Sequence, residues 1–594
     1  MDFFGVRSYF GRRVVLRRVF IGALLASLAA AVAGPARAAT QVLMPNVSFE
    51  RTVQFTAHGP VVLNVLTAPR PGGLYQLKPL LSNGTILGKE RVTSMQKDVS
   101  DAATVAGVNG DLFNFGDGHP TGIFMQGRVL ASAPYRGRSS VGITADGKLQ
   151  VARVSFFGYW QGLGQRRPLT GLNQPPRADG TSLFTPAYGA ATPRIPGVVE
   201  AVLQPFPPAV PGTDLTSVVT QVHGGGGTPI PRNGAVLLAR GSQVAKLQAE
   251  APAGTPVLSR LVLNPDWLAA GVTDAIGGGP VIVRGGRPVW TAGEDFLPTQ
   301  LGPRNPRTAV GQRADGKIVL LAVDGRRSGY SVGMTNWELA QAMVRLGCVT
   351  ASALDAGGST TMAFDGKLLN RPSDPGGERP VAESLSILYT GVYAPPPALD
   401  VVSPNGDGVG ERQQLAYKLV APSTVTATLI APSGATAFTD TATRPAGTYT
   451  YSWPTSPKRS LQGEPLGRYR WVVSAADDQG RSSSVERAFW LNDTLGFMRL
   501  SKRAVHVTRR TRTAIVARFK LAEQARVTAS VWTKSGILVR KLPTRTLAPG
   551  DRTLAWNGRF SNGRLVYGGT YLFKVFAHNA YGPVELDQTF LVRR

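Results

Sequence analysis

The chain has 594 residues, more than one hydrophobic core usually serves, so about two to four domains are expected. Hydrophobic residues make up 43% and charged residues 17%, which excludes a disordered chain, and 69 glycines with 44 prolines point to many turns and a strand-rich build. Lys and Arg number 65 against 37 Asp and Glu, and the resulting +28 favours anionic partners such as phosphorylated glycans, anionic envelope polymers or nucleic acid, although an arginine-rich bias without a partner gives the same number.

Arg7, Arg12, Arg13, Arg17 and Arg18 form a basic head before the apolar run Val19 to Ala33, and Ala36-Arg37-Ala38 fits a small-x-small cleavage site. Residues 1–38 therefore read as a signal peptide. Its paired arginines loosely match the twin-arginine pattern of bacterial export. No later stretch reads as a transmembrane helix. The one cysteine, Cys348, excludes an intramolecular disulfide and reads as a small buried hydrophobe. Five scattered histidines lack metal-ligand spacing, so no zinc site is expected.

From residue 42 to about 130, short apolar runs alternate with turns, and "TVAGVNGDLFNF" runs a strand into Asn109-Gly110-Asp111. Residues 131–230 are Pro- and Gly-rich and look like irregular β structure or an insertion. "DAIGGGPVIVRGGRPV" reads as a hairpin turning at Gly285-Gly286. "RTAVGQRADGKIVLLAVDGR" is a second hairpin, turning at Asp315-Gly316 and ending on Asp324. A helix follows. Thr335 caps it, Glu338 completes a capping box, Leu339, Met343 and Leu346 form an apolar stripe, and Gly347 ends it.

Next comes "SALDAGGSTTMAFDG", a strand stopping on Asp355 before two glycines and three hydroxyl residues. A surface turn accounts for that composition, and so does a site in which glycines let a ligand reach the backbone. If the strands ending at Asp324 and Asp355 run parallel, a right-handed crossover puts both carboxylates on one rim.

The segment "YAPPPALD", residues 393–400, reads as a linker. Residues 401–492 and 493–594 then repeat a pattern of about 100 alternating residues, each read as an Ig-like sandwich. In the second unit Lys and Arg outnumber acids by 19 to 5, which reads as a solvated basic face or as a surface for an anionic wall polymer.

Four blocks, "VNGDLFNF…TGIFMQGRVL", "AIGGGPVIVRGG", "NPRTAVGQRADGKIVLLAVDGR" and "LGCVTASALDAGGSTTMAFDG…PGGERPV", resemble in order and spacing the phosphodiester glycosidase family. Its animal member removes N-acetylglucosamine from a phosphodiester. The resemblance covers roughly residues 45–392 and implies an α+β catalytic domain rich in β structure over 39–392, ahead of two all-β sandwiches. The tail units are similar to the Ig-like domain of flagellar hook-capping proteins. One departure stands out: the family shows three glycines after the strand-end acid, and here Ala356 replaces the first.

The resemblance implies an exported hydrolase of sugar-1-phosphodiesters in a cell-envelope or extracellular glycan. A non-catalytic carbohydrate- or wall-binding protein on the same fold is the alternative. Hydrolysis through an oxocarbenium-like transition state needs a carboxylate, with Asp355, Asp324 and Glu378 as candidates in that order. Asp324 reads equally as a turn residue and Glu378 as an ion-pair partner of Arg379. Forked cations suit the departing phosphate, with Arg307, Arg326 and Arg379 as candidates. Gly357, Gly358 and Ser359 offer backbone N–H groups, and Asn109 and Thr360 offer sugar hydrogen bonds or plain turn caps. His119 reads as a loop histidine. No cofactor and no specific nucleic acid are expected. "SPNGDGVGE" spaces Asn405, Asp407 and Glu411 like the start of a calcium loop, but the twelfth-position carboxylate is missing, and a plain turn explains it as well.

Overall fold

Alternation of apolar and polar residues sets the long strands of the computed structural model, which describes residues 40–290, 292–454 and 461–593. The expected signal segment lies outside the described residues. Strand makes up 51% and helix only 6%, in keeping with a β-rich α+β domain followed by all-β sandwiches.

The stretches around Asp324 and Asp355 share one eight-stranded sheet. Its centre is Arg307–Arg313, paired antiparallel with Ile318–Val323 on one side and Cys348–Ala353 on the other. The two outer strands therefore run parallel to each other with one strand between them. Gly316 takes φ +85 at the hairpin turn, and the helix Asn336–Arg345 carries the chain across. Thr335 Oγ1 accepts from Glu338 N, and the Glu338 carboxylate accepts from Thr335 N, a reciprocal cap contributing about 1 kcal/mol. Leu339 and Met343 bury the helix against the sheet beside Cys348. Asp324 and Asp355 thus follow two strand ends that meet the start of Arg307–Arg313 on one rim.

A five-stranded sheet packs on this one through a core that includes Leu66, Val108, Val310, Leu320 and Leu385. In it Thr104–Asn109 pairs with Glu383–Tyr389, Asn109 opposite Ser384. The Asn109-Gly110-Asp111 turn arrives at the same rim, where Asp355 N donates to Gly110 O.

Residues 131–230, expected as irregular β structure or an insertion, are divided between two sheets. Val129–Ser132, Ser139–Thr144 and Leu149–Arg153 belong to a five-stranded sheet with Val272–Gly277. The additional eight-stranded layer instead runs from Ser155–Gln161 to Pro256–Asn264. Pro and Gly mark turns inside a sheet as readily as between domains.

The tail forms two sandwiches, with Trp453, Tyr469 and Trp471 in the core of the first and Phe519, Trp556 and Phe573 in the second. The "YAPPPALD" segment is packed: Ala394 is buried in the first sandwich core, and Tyr393 and Lys418 exchange backbone hydrogen bonds. Lys418 Nζ also donates to Ala103 O. In the Asn405 turn, Glu411 Oε1 accepts from Gly406 N and Gly408 N, and Asp407 accepts from Val409 N and from Phe497 N of the next sandwich. Asn405 Nδ2 donates to Leu495 O. These oxygens serve backbone N–H groups and clip one sandwich to the next. Among the described residues no cluster of three His, Cys, Asp or Glu side chains is placed to hold a metal ion, and no helix is long and apolar enough to cross a membrane.

Candidate active site

Leu354–Gly357 forms one wall of a cleft of about 250 Å³, which also draws Phe296, Gln300, Asn305, Arg307, Arg326 and Asn336 from three other segments. Asp355 is 9% exposed, and its Oδ1 accepts from Ala356 N at 2.8 Å. Burial raises its pKa to about 6, and the Asp111 charge adds to the rise. The Ser359 hydroxyl, Ala356 N and the Arg379 charge oppose it. The Ser359 contact favours the charged form but lies outside normal hydrogen-bond geometry, so Ser359 Oγ has no bonded partner.

The glycines after Asp355 make room for cations. Gly357 holds φ +69, which glycine adopts freely, whereas Ala356 is extended at φ −122, ψ −176, so the missing first glycine costs the backbone nothing. A Cβ on Gly357 would sit 3.0 Å from Arg326 Nη2, and one on Gly358 would collide with Arg379 Nη2 and Asp374 Oδ1. The two guanidinium groups lie where side chains would otherwise be. Gly357 N donates to Pro306 O and is not available to a ligand.

Arg326 is exposed and donates through Nε to Asn305 Oδ1 at 3.0 Å; its terminal nitrogens have no acceptor among the described residues. It stands at φ +56, a backbone strain of order 1–3 kcal/mol of the kind that collects at working sites. Arg379 is held by Asp374 through bonds of 2.8 and 3.1 Å and lies over the Phe115 ring at 5.4 Å.

Most other expected site residues spend their polar groups on bonds within the fold. Arg307 is not a free phosphate clamp. Its Nε donates to Met334 O, Nη1 to Gln300 O, and Nη2 to Leu301 O and Pro303 O, pinning the cleft's far wall. Burial and the charge of Arg326 lower its pKa to about 10. Asp324 accepts from Tyr330 Oη, Asn370 Nδ2 and Arg371 N, and stands outside the cleft lining. Glu378 does not pair with Arg379; it reaches Thr93 N at 3.0 Å and Thr93 Oγ1 at 2.6 Å, tying down the start of the helix Val92–Asp98. Asn109 is fully buried, donates to Asp355 O, and accepts from Thr308 Oγ1 and Thr361 N, so its amide holds the Asp355 turn. Thr360 is buried and its hydroxyl has no partner among the described residues.

Sequence reasoning overlooked the acids behind Asp355. Asp111 is 2% exposed, neither carboxylate oxygen accepts a hydrogen bond among the described residues, and its ion pair with Arg138 is long at 3.7 Å. Burial raises its pKa to about 6 against the pull of Arg138. Glu383 accepts from Asp111 N at 3.1 Å, and burial beside Asp111 raises its pKa well above the usual carboxylate range. Glycines again admit these groups: a Cβ on Gly122 or Gly277 would strike Asp111 Oδ2, and one on Gly110 would strike Glu383. "VNGD" and "AIGGG" carried that signal, since carboxylates buried against glycine need the space. Asn336 was also overlooked; it lines the cleft, and its buried Oδ1 has no partner among the described residues.

A second cavity of about 600 Å³ adjoins the first, sharing Leu112, Phe296 and Gln300 and adding His119, Tyr135 and Arg138. Burial lowers the His119 pKa, so its ring is neutral at neutral pH. The paired cavities, an acid with a raised pKa and an unsatisfied arginine make a cleft suited to an anionic, hydroxyl-rich ligand.

Residues 210–388 match the family model described as phosphodiester glycosidase. Over that segment the chain is similar to the phosphodiester glycosidase family. The SPbeta prophage-derived uncharacterized protein YomE of Bacillus subtilis is 44% identical over 89 residues, covering 15% of this chain and 14% of that protein. The N-acetylglucosamine-1-phosphodiester alpha-N-acetylglucosaminidase of Bos taurus is 41% identical over 68 residues, 11% of this chain and 12% of that enzyme. The matched segments thus span a small part of these curated relatives. A crystal structure of a hypothetical protein from Synechocystis superposes with a TM-score of 0.51 at 25% identity, covering 59% of this chain and 64% of that one.

Proposed function

We propose that this protein is an exported glycoside hydrolase that cleaves sugar-1-phosphodiester bonds in a cell-envelope or extracellular glycan. The observation that carries the reading is Asp355 and the unsatisfied Arg326 on one cleft, joined by the Gly357 turn. Hydrolysis at an anomeric carbon builds positive charge on the sugar and negative charge on the leaving phosphate. Asp355, ionised at neutral pH, meets the first as nucleophile, base or stabilising charge. Arg326 meets the second with two terminal nitrogens, and a phosphodiester leaves well enough to need charge stabilisation more than protonation. Burial beside Asp111 favours the protonated form of Glu383, which limits the negative charge buried behind the cleft. Asn336 Oδ1 is placed to accept from a sugar hydroxyl.

Ala356, the departure from the family's glycine run, has an extended backbone that needs no glycine, so it does not count against turnover. The test is turnover of a chromogenic sugar-1-phosphodiester panel by the purified protein and by Asp355→Asn. The expected result is hydrolysis by the first and a loss of about 10³-fold or more in the second. No turnover on any member, or equal turnover by both, sinks the reading.

A further inference from the structure

Half of the chain's net charge lies in its last stretch: residues 493–594 hold 19 Lys and Arg against 5 Asp and Glu, +14 of the total +28. The acids there are poor neutralisers. Lys574 alone takes both Glu585 and Asp587, at 2.5 and 4.0 Å. Arg499, Lys502 and Arg503 are exposed, and their side chains have no ion pair or hydrogen bond among the described residues. They line a groove of about 810 Å³ with Thr570, Gln588 and Thr589, and among the described residues no carboxylate lines it.

The groove is built rather than incidental. Gln588 Nε2 donates to Met498 O at 2.7 Å, and its Oε1 accepts from Leu500 N at 3.2 Å, which ties Leu495–Leu500 of one sheet to Gly582–Arg593 of the other. Arg499 stands directly opposite Arg518 on the neighbouring strand, a like-charge pair that destabilises a sheet unless a counter-charge covers it. Arg499 also lines the next cavity together with Asp407, Glu585 and Asp587, which bounds the cationic surface on that side. On the other side a cavity of about 400 Å³ shares Thr570 and Thr589 and adds Trp532 and Lys534. The Trp532 ring is fixed through Nε1 to Ser530 Oγ.

We propose that this groove is a second, non-catalytic site that binds a linear glycan carrying phosphodiester groups. Arg499, Lys502, Arg503 and Lys534 meet successive phosphates, while the threonine hydroxyls and Trp532 meet sugar. Single-stranded nucleic acid fits less well, because it asks for a row of aromatic platforms and the two cavities offer one half-exposed ring. The site stands independently of the hydrolysis proposed above.

The test measures binding of the full chain to a poly(glycerol phosphate) polymer across a salt series, with neutral dextran and an equally charged single-stranded DNA as comparisons. One variant combines Arg499→Gln, Lys502→Gln and Arg503→Gln. A control combines Arg526→Gln, Lys541→Gln and Arg545→Gln, the same charge loss toward the opposite edge of the six-stranded sheet. The groove variant should weaken polymer binding at least tenfold and flatten the log–log salt dependence by about 2–3, roughly one per lost contact. The control should bind as wild type, and both should turn over a small chromogenic substrate equally. Equal weakening by the two variants, binding of DNA as tight as the polymer, or no polymer binding by wild type overturns the proposal.

Discussion

The Arg379 guanidinium occupies the space that a side chain on Gly358 would need, and Asp374 holds it there by two hydrogen bonds. Its charge reaches Asp355 and favours the carboxylate form. Gly358→Ala pushes a methyl group into the tip of a flexible side chain, which can swing out at small cost to the fold. The expected outcome is a melting temperature within about 3 °C of wild type and a fall in kcat/KM of tenfold or more. Gly358→Ala with normal turnover would separate Arg379 from the site.

Asp111 and Asp355 both titrate near 6 in the fold because burial disfavours their charge. The ordinary carboxylate value is near 4. A carboxyl raised in this way supports folding while protonated. That support is complete below the ordinary value and is lost as pH rises through about 6. Asp111→Asn is neutral at every pH, so its stability relative to wild type should improve by roughly 2 kcal/mol between pH 4 and pH 8. Melting temperatures of both proteins over that range check it. A difference that does not change with pH means that Asp111 does not titrate there. Activity follows the other sign: Asp355 works ionised, so kcat/KM should decline below pH 6.

Arg307 and Arg326 line one cleft but answer to different measurements. Arg307→Lys orphans several buried carbonyls and should lower stability by about 3 kcal/mol or more. Arg326→Lys keeps the charge, loses the planar fork and should leave the melting temperature unchanged while activity drops at least tenfold. The reverse pattern, a stable Arg307→Lys with impaired turnover, would restore Arg307 as the phosphate clamp.

What could be read from the sequence was whatever is local in the chain. The Thr335–Glu338 cap, the Asp315-Gly316 turn and the convergence of Asp324 and Asp355 follow from spacing and crossover geometry, and the structure has all three. Which members of the rim face the cleft was not legible. Arg307 and Asp324 look like site residues in sequence, yet their bonds to Met334 and Asn370 join residues 27 and 46 positions apart. Glu383 sits in a plain strand, and its place behind Asp111 depends on the pairing of Glu383–Tyr389 with Thr104–Asn109. Ala356 follows the same rule. A glycine in a run signals freedom at some position, and only the backbone angles tell which one uses it.

Asp407 bears on the tail. One carboxylate oxygen accepts from Val409 N at 2.9 Å and the other from Phe497 N at 2.8 Å, so a single side chain joins the first sandwich to the second. Asn405 adds a bond to Leu495 O across the same junction. We propose that hydrogen bonding rather than a calcium ion stiffens this turn. Two charge-assisted bonds at a half-buried site contribute about 2 kcal/mol together. Asp407→Ala should therefore lower the melting temperature by a few degrees and speed proteolysis between residues 492 and 497. Both effects should be the same in chelator and in millimolar calcium, because Glu411 and Asp407 are already occupied by backbone N–H groups. A wild-type melting temperature that rises with calcium, and no longer does so in Asp407→Ala, would show that an ion displaces those bonds and that the turn is a metal site.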